Sequence, residues 1–405
     1  MANIDPGSVH FYPTSIEGDW LATCEAATGS RDQRAAITQL EPEVRALTDL
    51  FTDRRPEHYV PYLQDPRRLA AYGLYHFPRN WTRVRFPLAD WLDWFGGPVR
   101  PETGRLRLLD LGSGPGPAGL SAAQFLLARG CTDRIGLTLL DHSQSALKRG
   151  RELARTHLPA VDVRTAVRSL DQPGAANNNK DPYWDGIILS FAANEWADTA
   201  DPEALWKQIE PWAGHLSRRG WLLLLDVARE TVSRSIEQVR QRLLASPQWQ
   251  VLGPDRFDAP HPLAEHGKRW PHEVRPWSPP DSLRELNRIA WRNLDTLKFS
   301  YLLMARGDRK AQPEAEPVTA AESGWRLISP VGRRKGVLLW HMVDADGQAT
   351  QAEIQTRELD APAKKRVLAW QRGDRLRLDP KQCEHRGDRL RLLGETAIVR
   401  YYQPA

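Results

Sequence analysis

The sequence predicts an α/β protein: a doubly wound sheet preceded by a helical region and followed by a small β-rich module. Three observations carry this. Leu106 to Leu111 is an apolar run that opens into Gly112-Ser113-Gly114-Pro115-Gly116 and then into helical periodicity from Pro117 to Ala128. That is strand, glycine turn and helix, the unit from which such sheets are built. Four further short apolar runs follow, each separated by a segment with helix signals. Beyond residue 323 the pattern changes to short alternating runs of strand character.

The chain has 405 residues, enough for two domains with a buried core. Its charged and apolar fractions are those of a globular protein, and no apolar run reaches the roughly 20 residues that cross a bilayer. The first thirty residues combine Asp5, Glu17, Asp19 and Glu25 with no basic cluster, which reads as neither signal nor transit peptide. Cys24, Cys131 and Cys383 are isolated, so no disulfide framework is expected and a reducing, cytoplasmic location is. From Gly324 onward there are 16 Lys/Arg against 10 Asp/Glu, while the whole chain carries +5. An anionic partner or a solvated basic surface would each account for that tail.

Taken in order, residues 1–30 read as irregular. Ile37, Leu40, Val44, Leu47 and Phe51 predict one amphipathic helix over Arg31 to Asp53. Asp65-Pro66 starts a second helix, expected to stop before Pro78, and Leu88 to Phe95 is a third, closed by Gly96-Gly97. Ile135 to Leu140 is the second strand, with Asp141 at its tip, where nucleotide folds hold ribose hydroxyls. His142 follows, and Ser143 caps the next helix. Val161 to Leu170 is the third strand, Asp185 to Phe191 the fourth and Gly220 to Val227 the fifth. Trp249 to Gly253 and Lys298 to Ala305 complete the sheet. They are separated by a Pro-, His- and Trp-rich insertion (254–297) with a helix from Asp281 to Leu294. The division is 1–104 helical, 105–310 sheet domain, 311–323 linker and 324–405 basic module, with strands expected at Gly336 to His341, Ala349 to Thr356 and Arg366 to Trp370. The repeated Gly-Asp-Arg-Leu-Arg-Leu at 373 and 387 marks two similar strand starts, and the module reads as barrel-like.

The Asp110-x-Gly-x-Gly-x-Gly spacing resembles motif I of class I S-adenosylmethionine (SAM) methyltransferases. Asp110 would orient loop amides or the methionine amine, Gly112 and Gly114 would admit the cofactor, and Asp141 would accept from the ribose. Both carboxylates would equally serve as loop caps. The cofactor set this implies is Asp110, Gly112, Ser113, Gly114, Pro115, Gly116, Asp141, His142, Ser143, Leu170 and Ser190. Residues 192–196 (Ala-Ala-Asn-Glu-Trp) stand beside the expected methyl group, and Glu195 is the one ionisable side chain there. Neither an Asn/Asp-Pro-Pro-aromatic motif nor a cysteine follows the fourth strand, which disfavours the usual amino-methylation signature and a covalent route.

Several blocks together look like one family: Leu69 to Pro78, Leu108 to Gly116, Ser190 to Trp196, Lys298 to Arg306, Arg333 to Gly336 and Trp370 to Asp374. They resemble the methyltransferase-like proteins of mitochondrial small-ribosomal-subunit assembly and their bacterial relatives. The resemblance implies a SAM-type fold, a basic C-terminal module and association with small-subunit rRNA. Family members commonly hold an iron–sulfur cluster on cysteines of the insertion and tail. Here the matching segment runs Ala259-Pro260-His261-Pro262-Leu263 and later Trp270-Pro271-His272, without cysteine, and Val343 in the tail is no replacement. Four thiolates are needed, so no iron–sulfur cluster is expected. His261, His266 and His272 would be zinc ligands or ordinary polar residues, and no metal site is assigned. Three functions fit: an rRNA or ribosomal methyltransferase, a SAM-binding assembly factor without catalysis, and a small-molecule methyltransferase.

Overall fold

The computed structural model describes residues 5–52, 62–98, 104–170, 183–197, 201, 203–290, 294–307 and 324–402, and the linker at 311–323 lies outside them. The chain begins with helices α1 (Thr14–Thr28), α2 (Gln33–Gln39), α3 (Glu41–Thr52), α4 (Pro66–Arg83) and α5 (Arg85–Phe95). Then come β1 (Arg105–Leu111), α6 (Pro117–Ala128), β2 (Arg134–Asp141), α7 (Gln144–His157), β3 (Val161–Val167), β4 (Trp184–Ser190), α8 (Asn194–Ala197), α9 (Ala204–Ala213) and β5 (Leu216–Asp226). The domain closes with α10 (Glu230–Leu244), β6 (Trp249–Gly253), β7 (Glu273–Pro276), α11 (Asp281–Ile289) and β8 (Thr296–Arg306).

The sheet order is β3-β2-β1-β4-β5-β8-β6, with β7 paired to β8. β8 runs antiparallel to both neighbours, while β1 to β5 are mutually parallel. Because side chains alternate across a strand, each strand feeds two cores. Trp221, Leu223 and Leu225 face the core shared with α1 and α3–α7, and Leu222 and Leu224 face the one under α9 and α10. The N-terminal helices therefore do not build a core of their own. They pack against the sheet.

Four local readings change. Residues 14–28 are helical: Ile16, Trp20 and Cys24 form a stripe four residues apart, and Gly29 closes the helix in the left-handed region. The helix expected over 31–53 is two, because Pro42 has no amide and cannot sit four residues beyond a bonded carbonyl. Conversely, α4 runs through Pro78 to Arg83, since burial of Phe77 and Trp81 outweighs one lost backbone bond. In the C-terminal module, residues 361–369 form helix α12 (Ala361–Ala369) rather than a strand; Asp360 accepts from the Ala363 amide and Pro362 lies in the first turn.

That module contains β9 (Trp325–Leu327), β10 (Gly332–Arg334), β11 (Val337–Val343), β12 (Ala349–Gln355), α12, β13 (Arg375–Leu378), β14 (Cys383–Arg386), β15 (Arg389–Leu392) and β16 (Ile398–Tyr402). The two copies of the six-residue repeat place β13 and β15 at the same register within it. Its sheet is an open path, β14-β15-β12-β11-β9-β13-β16 with β10 on β11, rather than a closed barrel among the described residues.

A buried ion cluster joins the module to the sheet domain. Arg275 lies 3.0 Å from Asp90, 2.8 Å from Glu273 and 3.4 Å from Asp374. Arg326 pairs with Asp255 at 3.0 Å and with Glu273. Both guanidinium groups and all four carboxylates are buried. Gly373 permits the approach: its φ is +91°, and a Cβ there would lie 1.8 Å from Glu273 Oε2. Burial pushes the Asp255 carboxyl upward, but Arg326, His261, Arg375 and Arg240 together hold it below its ordinary value. Arg326→Met should strip Asp255 of its closest cation, leave Glu273 with Arg275 alone, and cost about 3–5 kcal/mol. Arg366→Ala, which opens the exposed pair with Glu395, should be nearly silent. Denaturant unfolding of both variants checks the contrast; equal effects would contradict it.

Candidate functional site

The glycine loop sits where β1 hands over to α6. Gly112, Gly114 and Gly116 have φ of +63°, +53° and +79°, so each alternate position demands glycine. Their bare faces look in different directions. A Cβ on Gly112 would meet Ala192 at 2.8 Å and Leu170 at 3.3 Å, which brings the ends of β3 and β4 against the loop. A Cβ on Gly114 would face Leu63 and the Tyr72 hydroxyl at 3.6 and 3.9 Å, so α4 forms the opposite wall. Pro115 abuts α7 at Gly150, and the Ser113 amide bonds to the Leu140 carbonyl at 3.0 Å.

The two acidic residues are both engaged with backbone amides. Asp141 accepts from Gly114 and from Ser143, each at 2.8 Å, and so ties the tip of β2 to the glycine loop. Asp110 accepts from the Gly119 amide at 2.8 Å, while its Oδ1 is buried with no hydrogen-bond partner. Burial drives the Asp110 carboxyl up to about 7; the Gly119 amide opposes the rise and Asp141 adds to it. His142 is exposed, with Nε2 3.7 Å from Asp141. Ser143 caps α7 through the Ala146 amide.

At the end of β4, the Ser190 hydroxyl is buried and lacks a hydrogen-bond partner. Phe191 has φ of +58°, the one described non-glycine residue in that region. Asn194 donates twice to Asp226, fixing α8 to β5. Glu195 belongs to α8, but its side chain lies outside the described residues, as does Asp171 after β3.

The residues that sequence reasoning missed come from α4. Tyr72, His76, Asn80 and Arg83 recur at helical spacing and are buried. Tyr72 hydrogen-bonds to Asn80 and stacks on His76 at 5.5 Å. Periodicity alone marks these as helix positions without saying which wall they line.

The insertion histidines fall elsewhere. His261 Nδ1 accepts from Leu263, with Nε2 3.6 Å from Asp255. His266 is exposed, and His272 meets the Trp270 carbonyl and Arg372. Burial lowers both His261 and His272 to about 4. Among the described residues, no group of three His, Cys, Asp or Glu is placed to hold a metal ion.

A strand order of 3-2-1-4-5-7-6, with the seventh strand antiparallel, is reproduced here once β7 is set aside as an added edge. The fold is that of class I methyltransferases. No family model matches the chain, and no curated protein does. Among solved structures, a protein of Listeria monocytogenes provisionally assigned to that class is 11% identical, covering 75% of this chain and 92% of its own, at TM-score 0.36. The N-methyltransferase NodS of Bradyrhizobium japonicum is 13% identical, with 65% and 98% covered, at 0.32. An rRNA methylase of Streptococcus thermophilus is 10% identical, with 51% and 89% covered, at 0.29. These scores add nothing to the strand order, which assigns the fold by itself.

The raised Asp110 has a consequence for stability. A carboxyl whose folded pKa is raised contributes fully below its ordinary value near 4 and loses that contribution as pH climbs through about 7. Asp110→Asn keeps an acceptor for Gly119 and removes the titration. Between pH 5 and pH 8 its melting temperature should gain on the unmodified chain, with an upper limit of about 4 kcal/mol. Parallel pH profiles would refute the assignment.

Proposed function

We propose that this chain binds SAM in the cleft between the glycine loop and α4. In this reading it is a methyltransferase-type protein acting on or with small-subunit rRNA in ribosome assembly. The observation that carries the cofactor half is the positive-φ glycine loop, tied by the Gly114 amide to the β2-tip carboxylate and packed at Gly112 against the β4 end. The residues fit the group: a loop whose Gly114 face looks toward the Tyr72 hydroxyl, and the orphan Ser190 hydroxyl. Gly112 to Gly116 would lie along the nucleoside and methionine, with Asp141, His142 and Ser143 toward the ribose, Leu170 toward the adenine and Ser190 toward the methionine. When bound, SAM supplies a methyl group on a sulfonium. The chain's own task is to align the acceptor and exclude water. Glu195 is the proposed base at that end.

The RNA half rests on charge. Arg333, Arg334 and Lys335 are exposed on the β10–β11 hairpin, and among the described residues no ion pair engages them. The second basic run, on α12, is partly neutralised, since Arg366 is held by Glu395 at 2.6–2.7 Å. The hairpin is therefore the stronger phosphate contact. No described helix is long and apolar enough to cross a membrane.

Calorimetry with SAM should show binding by the unmodified chain and a clear loss in Asp141→Ala, which frees the Gly114 amide. A chain that ignores SAM but takes a nicotinamide dinucleotide would overturn the cofactor reading. In filter binding to small-subunit rRNA over a salt series, the Arg333/Arg334/Lys335 alanine triple should lower the salt slope by about two. Its SAM affinity should be unchanged. Salt-insensitive or absent RNA binding would favour a small-molecule acceptor, and unmodified rRNA in mass spectrometry would favour an assembly factor without catalysis.

A further inference from the structure

Arg83, at the last turn of α4, is 7% exposed, yet among the described residues its one hydrogen bond runs from Nη1 to Asn80 Oδ1 at 2.9 Å. Its Nε is buried without a hydrogen-bond partner. Among the described residues no carboxylate reaches ion-pair distance of it. Other deeply buried arginines are answered differently. Arg275 and Arg326 meet carboxylates, and Arg85 donates to Ser121, Gln124 and two carbonyls. Leaving one ionised group buried with a single amide acceptor costs several kcal/mol. Such a cost is retained where a ligand supplies the missing charge.

What surrounds Arg83 points the same way. Its guanidinium lies 4.8 Å over the ring of Phe191, the first residue beyond β4. Phe191 is also the residue with strained, positive φ, and its neighbour Ser190 carries the orphan buried hydroxyl. Arg79, one turn earlier, sits over Tyr75 at 4.8 Å and adds a second positive charge to this end of the helix. The carboxylate that acts on it, Asp226, already accepts from the Asn194 amide and side chain and from the Val227 amide. A buried donor fork answered by a single amide oxygen therefore lies over Phe191, whose backbone is strained and whose neighbour Ser190 carries the orphan hydroxyl, at the carboxyl end of β4.

We propose that Arg83 is the receptor for an oxyanion of the ligand bound at the end of β4, with Ser190 as the accompanying hydroxyl. This rests on the cofactor cleft proposed above. Two sources would present such a group there: the methionine carboxylate of the cofactor and a phosphate of the acceptor. A planar guanidinium pairs with either in bidentate fashion. The charge that burial makes costly becomes an asset beside a bound anion.

The test uses the full chain, unmodified and as Arg83→Met, which keeps the stem and removes the charge. Thermal unfolding is followed alone and with S-adenosylhomocysteine, with 5′-methylthioadenosine, which is the same thioether nucleoside without the carboxylate, and with inorganic phosphate. Without ligand, Arg83→Met should unfold at the same temperature or higher, since a buried unpaired charge is gone. With ligands, loss of the homocysteine response alone, methylthioadenosine acting equally on both proteins, assigns the cofactor carboxylate. Loss of the phosphate response alone assigns the acceptor. Either loss should be at least tenfold in apparent affinity, and Arg83→Lys should restore part of it. Equal responses of both proteins to all three compounds overturn the proposal, leaving the cleft intact. An unmodified chain stabilised by neither nucleoside overturns the cofactor reading instead, and silence toward phosphate as well removes Arg83's role.

Discussion

The arrangement of this molecule depends on the Glu273–Arg275–Arg326 ion cluster. Six charged side chains from α5, the loop after β6, β7, β9 and the turn before β13 meet where no water screens them. Their attraction is strong only because they are buried, and the desolvation they have suffered makes each intolerant of losing a partner. Backbone bonds reinforce the joint: Val274 donates to the Arg372 carbonyl, and Arg375 reaches the Pro254 carbonyl at 2.9 Å. A small apolar contact of Phe257, Leu263, Ile328 and Val343 lies beside it. The basic module is thus seated on the sheet domain despite the linker composition of the segment that precedes it, and its β10–β11 hairpin is carried on a fixed base.

A second constraint shapes the surroundings of the glycine loop. The glycine loop, the β2 tip and α4 are interdependent, because Asp141 holds the Gly114 amide while the free face of Gly114 looks at Tyr72. The N-terminal helices share a core with the sheet, so they are placed by the same burial that orders β1 and β8. Helix α4 survives an internal proline for that reason. Its polar residues, Tyr72, Asn80 and Arg83, are consequently held against the carboxyl ends of the strands rather than left in solvent.

Much of this was readable from residue order. The strand–glycine–helix unit, the Asp65-Pro66 and Ser143 caps and the apolar runs of the sheet depend on neighbours a few positions away. The errors have physical causes of the opposite kind. Pro78 reads locally as a stop, but the packing of Phe77 and Trp81 overrides it. The short run at 366–370 looks like a strand until Asp360 and Pro362 are taken as the start of a helix. Helix α1 was hidden because three residues four apart are too few to stand out.

The sequence by itself determined the kind of sheet, the positions that must be glycine and the presence of a basic tail, since each follows from local sterics, periodicity or composition. Only the tertiary structure decided which charges are answered. Arg83, Arg275, Arg326 and Arg366 are the same residue type in the sequence, yet among the described residues one meets no carboxylate, two are locked in a buried network and one is loosely paired at the surface. Partners as far apart as Glu273 and Arg326, 53 positions, or Asp90 and Arg275, 185 positions, leave no local pattern to read. Charge is a property of the residue, but its energetic meaning is set by burial and by what folding brings beside it.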